Sequence, residues 1–172
     1  MQSNESFPLL FSPVNIRGHK LKNRIVFGAH TSNMSEKGLP GKRHIYYYRE
    51  RAIGGAAMIV IEPIPVHQAA VLTRGNFLHS TNDVIPHFRK VTDAVHDEGS
   101  IILQQLYHVG QHGDADNSFH PNWSPSGLPP CPCLFLPPKP HLLHYHLGVL
   151  SNLRFQIAEE YFLLIYLNWF YF

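Results

Sequence analysis

Asn82-Asp83-Val84-Ile85-Pro86-His87-Phe88-Arg89-Lys90-Val91-Thr92-Asp93-Ala94-Val95-His96-Asp97-Glu98-Gly99-Ser100-Ile101-Ile102-Leu103-Gln104-Gln105-Leu106 is the stretch whose reading decides the fold. Asn82 or Asp83 can cap a helix, Pro86 is tolerated in its first turn, and Ile85, Phe88, Val91 and Val95 recur at helical spacing. Gly99 stops the helix, and Ile101–Leu106 follows as an apolar strand. The same order recurs upstream. Lys42–Ile53 predicts a helix closed by Gly54-Gly55, and Ala56–Ile61 is a continuous apolar run ending at Glu62-Pro63, the pattern of a strand buried on both faces. Further upstream, Arg24–Phe27 predicts a short strand before a polar loop, and Val14–Ile16 and His19–Leu21 flank Arg17-Gly18 as a hairpin. Strands separated by helices imply right-handed crossovers and a parallel sheet.

Spacing bounds the architecture. Strands starting near residues 24, 56 and 101 give roughly 35–45 residues per unit, so a full eight-unit barrel, usually about 250 residues, exceeds this chain. About four units fit. An open doubly wound sheet also fits the length, and element order alone does not choose between the two.

Composition narrows the class. The 172 residues are 44% hydrophobic, enough for one domain with a core. The net charge of +2 makes no case for a nucleic-acid partner. Cys131 and Cys133 are too few for a disulfide framework or a four-ligand metal site, and no metal is expected. The residues Met1–Glu5 lack the features of a signal peptide, and no run reaches the ~20 apolar residues of a membrane span. The expectation is a cytoplasmic globular protein. A break falls near Pro129, dividing the chain into residues 1–129 and a tail, 130–172, that is Pro-rich and then apolar. That tail keeps four charged residues and carries ten leucines and ten aromatics. A role for it as an interfacial membrane anchor ranks last, because it lacks flanking basic residues.

In parallel α/β folds ligands sit where strands end and loops begin, which selects Gly28–Thr31, Glu62–Pro65 and Gln105–Gly110. Gly28-Ala29 permits close approach of the backbone to a flat ligand, and Thr31 adds a hydroxyl. The Gln105 carboxamide both donates and accepts, as the edge of a heteroaromatic ring requires. Each of these residues taken singly also reads as a polar group satisfied within its own loop. His108 and His112 are spaced i, i+4, but Gly110 and Gly113 argue against the helix that a zinc pair would need. Tyr46-Tyr47-Tyr48 spans three helix faces, so at least one tyrosine packs onto the sheet. No G-x-G-x-x-G follows a strand.

Several segments resemble the N-terminal part of the old yellow enzyme family, the FMN-dependent NADH:flavin oxidoreductases. They are Leu10-Phe11-Ser12-Pro13, Leu21-Lys22-Asn23-Arg24-Ile25-Val26, Tyr47-Tyr48-Arg49-Glu50-Arg51-Ala52-Ile53-Gly54-Gly55, Leu103-Gln104-Gln105-Leu106-Tyr107-His108-Val109-Gly110 and Trp123-Ser124-Pro125-Ser126. The likeness covers residues 7–128 and leans toward the 2,4-dienoyl-CoA reductase and trimethylamine dehydrogenase branch.

The resemblance implies the first half of a TIM barrel, a partial (β/α)8 fold, with an unrelated-looking aromatic C-terminal tail. It implies FMN at the barrel mouth, NAD(P)H as reductant and a small-molecule electron acceptor. By position, Ala29, His30 and Thr31 would line the flavin from the first strand, Pro63 from the end of the second, and Gln105 would hydrogen-bond the pyrimidine edge. The family's substrate-orienting histidines, flavin-contacting arginine and phosphate-binding segments belong to later strands not matched here. The expectation is therefore a catalytically incomplete oxidoreductase that binds FMN weakly and self-associates or aggregates through an open sheet edge. The alternative is a non-catalytic half-barrel interaction module.

Overall fold

A computed structural model of the chain describes residues 6–79, 81–110 and 119, together with the backbone of Phe162–Leu164. The first two strands, β1 (Val14–Ile16) and β2 (His19–Leu21), form an antiparallel hairpin. Its turn residues Arg17 and Gly18 have φ of 47° and 88°, the positive pair of a type I′ turn. A four-stranded parallel sheet follows in the order β3 (Val26–Phe27), β4 (Met58–Pro65), β5 (Ile101–Tyr107) and β6 (Phe162–Leu164). Helix α1 (Lys42–Ile53) connects β3 to β4, and α2 (Ile85–His96) connects β4 to β5. Among the described residues consecutive strands are neighbours in the sheet, which is barrel order.

Both helices end in the same way. Gly55 N–H donates to Ala52 O at 3.1 Å and Ala56 N–H to Arg51 O at 3.1 Å; Gly99 N–H donates to His96 O at 2.8 Å and Ser100 N–H to Val95 O at 3.3 Å. These are Schellman closures, and the residue that turns the chain must sit at positive φ, here 102° for Gly55 and 68° for Gly99. The chain then starts its next strand at once, with Ala57 N–H on Ile25 O and Ile101 N–H on Ala57 O, both at 2.9 Å.

The core lies between the helices and one face of the sheet. Tyr48, Ala52, Ala56, Ile59, Ile61, Val91, Val95 and Ile102 form its main cluster; Ile64, Val66, Phe77, Val84 and Leu106 form a second one toward the strand ends. Val91 and Val95 are fully buried and Phe88 packs on both clusters, as the helical spacing predicts.

Several element boundaries differ from the sequence pattern. Strand β3 begins at Val26 rather than Arg24, because Arg24 N–H is taken by Leu10 O and Ile25 N–H by Asn23 Oδ1, both at 2.9 Å. Strand β4 does not stop at Ile61 but runs on through Pro63 to Pro65. Along it Met58 and Val60 are half-buried, so the run is covered fully on one face only among the described residues. Helix α2 is preceded by a 3-10 turn, Asn82–Val84, capped by Thr81 rather than Asn82 or Asp83; the Thr81 hydroxyl accepts from Asp83 N–H at 3.2 Å. In the tail, Phe162–Leu164 is a strand parallel to β5.

Candidate functional site

The continuation of β4 places the site. Ile61 pairs with Gln104 and Ile64 with Leu106, so Glu62 and Pro63 together stand opposite the single residue Gln105. Two residues facing one is a β-bulge, and Pro63, with no N–H to give a ladder, suits that position. The bulge brings Pro63 and Gln105 into register near the C-terminal ends of their strands. Pro63 and Gln105 are both half-buried. The Gln105 carboxamide has no hydrogen-bond partner among the described residues.

Gln104 behaves differently. Its Nε2 donates to Glu62 O at 2.8 Å and to Gln105 O at 3.0 Å, which fastens β5 to the bulge. The loop leaving β3 is fastened to the same residue. Ser32 N–H donates to Glu62 Oε2 at 2.8 Å and Ser32 Oγ–H to Glu62 Oε1 at 2.5 Å.

Helix α1 supplies the remaining partners. His44, Tyr48 and Ala52 are spaced i, i+4, i+8 and are its buried residues. Gly41 N–H donates to His44 Nδ1 at 3.2 Å, which leaves Nε2 to carry the ring proton. That nitrogen faces Glu62 Oε1 across 3.0 Å, a close electrostatic contact rather than an aligned hydrogen bond. Tyr48 OH accepts from Glu62 N–H at 2.9 Å. Burial raises the Glu62 carboxyl pKa, but the contacts from His44 and then Ser32 outweigh it, so the group sits below its ordinary 4.5. Burial, and next the Glu62 charge, pushes the Tyr48 phenol up, so it stays protonated.

Of the five residues singled out in the sequence, Ala29 and Thr31 are half-buried in the segment between β3 and the Ser32 anchor. His30, between them, is exposed and turns to α1. Its Nε2 lies 2.6 Å from Tyr47 OH, and its ring stands edge-on to Phe27 at 5.5 Å. The Arg51 guanidinium stacks on this group, 3.4 Å from the centre of the Tyr47 ring and 5.5 Å from that of Phe27. A Cβ built at Gly28 meets no atom within 4 Å, so internal packing does not demand glycine there. Within the tyrosine triplet, Tyr48 is buried in the core and Tyr47 packs on its edge against Phe27, while Tyr46 is 62% exposed.

Beyond the bulge, the loop after β4 packs on the loop after β3. Leu78 N–H donates to Gly38 O at 2.7 Å, Ser35 Oγ–H donates to Asn76 O at 3.1 Å, and Thr73 pairs closely with Asn33. Asn76 Nδ2 also contacts the hydroxyl of Tyr107, a phenol whose pKa burial raises. Gly110 N–H donates to His108 Nδ1 at 3.0 Å. His112, Cys131, Cys133 and the Trp123–Ser126 segment lie outside the described residues. Among the described residues no three His, Cys, Asp or Glu side chains gather as a metal site, and no helix is long and apolar enough to cross a membrane.

The site residues that sequence reasoning missed are Ser32, His44 and Tyr48, with Glu62 recognised only as part of a segment. A signal existed: His44 and Tyr48 fall on the apolar face of α1, where two polar groups require a buried partner.

Comparison with known proteins bears on what such a site serves. Residues 9–132 match the family model of the NADH:flavin oxidoreductase / NADH oxidase family. A probable N-methylproline demethylase of Rhizobium meliloti (strain 1021) is 34% identical over 121 residues, covering 70% of this chain and 17% of that protein. The NADPH dehydrogenase of Bacillus subtilis (strain 168) is 30% identical over 121 residues, 69% of this chain and 35% of that one. Among solved structures, the old yellow enzyme from Trypanosoma cruzi superimposes with a TM-score of 0.60 at 28% identity, over 65% of this chain and 30% of its own. Morphinone reductase gives a TM-score of 0.72 over 84% of this chain and 42% of its own; at 22% identity it speaks for the fold alone. The chain thus spans 17% and 35% of the two curated relatives named.

Proposed function

Because the chain belongs to the NADH:flavin oxidoreductase / NADH oxidase family, we propose that it forms the first strands of an FMN site in an NAD(P)H-dependent oxidoreductase. In this reading residues 1–129 are the N-terminal part of a TIM barrel, and Ala29, His30, Thr31, Pro63 and Gln105 contact the cofactor. FMN, when bound, supplies hydride transfer between NAD(P)H and a small-molecule acceptor.

The single observation that carries the reading is the half-buried Gln105 carboxamide, unpaired among the described residues and set opposite Pro63 at the bulge. An amide in that position is poised to exchange one donor and one acceptor bond with a ring edge carrying C=O and N–H groups. Thr31 adds a half-buried hydroxyl from the neighbouring loop. His30 contributes through its backbone, because its ring is engaged with Tyr47. The covered bulge and the bonded loops beside it hold these groups without needing the ligand, which favours a preformed site.

The named relatives include a demethylase and a dehydrogenase, so the acceptor is proposed only as a small molecule. The test is an amide NMR titration of the chain with FMN to about 1 mM, where even binding worth only about 4 kcal/mol registers. Shifts confined to residues 29–31, 63–66 and 104–106 are expected. Scattered or absent shifts overturn the proposal.

A further inference from the structure

Glu62 opens one candidate segment and bonds the residues that flank the other two, and each of its polar atoms has a partner. Its two carboxylate oxygens hold Ser32 N–H and Ser32 Oγ–H, one residue after Thr31. Its carbonyl oxygen accepts from Gln104 Nε2, one residue before Gln105. Its own successor is Pro63. From the helix side, His44 Nε2 and Tyr48 OH fix Glu62 itself. The residue is 2% exposed, so these contacts operate with little competition from water.

We propose that Glu62 is the positioning residue of the flavin site: it sets the spacing between Thr31, Pro63 and Gln105, and through that spacing the affinity for FMN. The link to FMN rests on the flavin reading above. A carboxylate is the group this task requires. It accepts two bonds from one serine, and charge-assisted bonds are shorter and stiffer than neutral ones. Glutamine at this position keeps the volume but turns an N–H2 toward a donor, either Ser32 N–H or the Nε2–H of His44. Aspartate is one methylene short of the same reach.

Two readouts on the full chain separate the parts of the proposal. Hydrogen exchange is measured for the wild type, Glu62→Gln and Ser32→Ala, alongside the FMN titration. Positioning predicts that exchange in residues 29–33 and 104–106 rises about tenfold in Glu62→Gln, while the hairpin 14–21 is unchanged. FMN affinity should fall about tenfold in Glu62→Gln and about threefold in Ser32→Ala, which removes one hydrogen bond and keeps the backbone one. If Glu62→Gln does not fold, Ser32→Ala carries the same pattern, because Ser32 is only half-buried. Exchange that stays as in the wild type, or rises evenly along the chain, overturns the positioning role whatever FMN does. Altered exchange with unchanged FMN affinity overturns the link to the cofactor. Absence of localised FMN shifts in the wild type sinks the flavin reading and that link together, and the exchange pattern still decides whether Glu62 holds the segments.

Discussion

The two ends of the parallel sheet are each tied together by one charged side chain, yet the two ties have opposite character. At the N-terminal end, Lys22 Nζ donates to Ala52 O at 3.3 Å, Glu98 O at 3.0 Å and Ser100 Oγ at 3.1 Å, joining the hairpin to the C-termini of both helices. Asn23 Nδ2 adds a bond to Gly55 O at 2.8 Å. A cation near two helix C-termini is favourable through the orphan carbonyls and the helix dipoles, and Lys22 remains open to water. At the C-terminal end the tie is Glu62, an anion only 2% exposed with a histidine, a serine and a tyrosine around it. The wet tie closes a frame. The dry tie costs desolvation and holds irregular backbone in place, the arrangement expected where a barrel carries its site.

The sharpest way to break this contrast is to delete each tie. Glu62→Ala strands donors on His44 and Ser32 and should lower the unfolding free energy by about 1–3 kcal/mol for each of the two residues, read by urea titration. Its pH dependence sharpens the point. The folded pKa of Glu62 lies below the ordinary 4.5, so its contribution is complete above that value and is lost as pH falls through the folded pKa. The stability gap between wild type and Glu62→Ala should therefore be constant near neutral pH and narrow on acidification below about 4.5. A gap that does not change with pH would mean that the carboxylate charge has no part in the tie.

Lys22→Met keeps the aliphatic stem and removes the three donations. With water able to replace part of what is lost, the expected cost is about 1–2 kcal/mol, with no flattening at acid pH and no change in FMN-induced shifts. A loss as large as that of Glu62→Ala would erase the distinction between the two ends.

The N-terminal end was the more legible one in the sequence, for physical reasons. Its elements are marked locally, by glycine after a helical period, a two-residue turn containing Gly between two short strands, and a strand starting soon after each Gly. The Lys22 tie itself spans 30 to 78 positions and is no more legible than that of Glu62. The hairpin and α1 follow from these signals alone. The C-terminal end depends on contacts between distant residues. Ser32 and Glu62 are 30 positions apart, and Tyr48 and Glu62 are 14 apart, so a single sequence offers nothing that pairs them. Pro63 also misled the boundary of β4, because proline reads as a strand stop and here it sits in a bulge that the strand passes through. The placement of Gln105 at a strand end was legible because it needed only the apolar run before it. The orientation of the His30 ring was not, since Tyr47 decides it.

Gln105→Leu should change stability least of all, and that makes it the most discriminating variant. Its neighbour Gln104 spends its amide on the bulge, so Gln104→Leu removes an internal bond and should cost about 1 kcal/mol. Gln105 gives no such bond to the described residues, and leucine at its half-buried place on β5 loses nothing but hydration. The melting temperature of Gln105→Leu should therefore stay close to that of the wild type. FMN affinity should fall about tenfold, the loss of about 1.4 kcal/mol expected when a ring edge gives up its polar partner. The opposite pattern, a lowered melting temperature with FMN shifts intact, would make Gln105 a structural residue like Gln104. The unpaired amide would then no longer mark where a ligand binds.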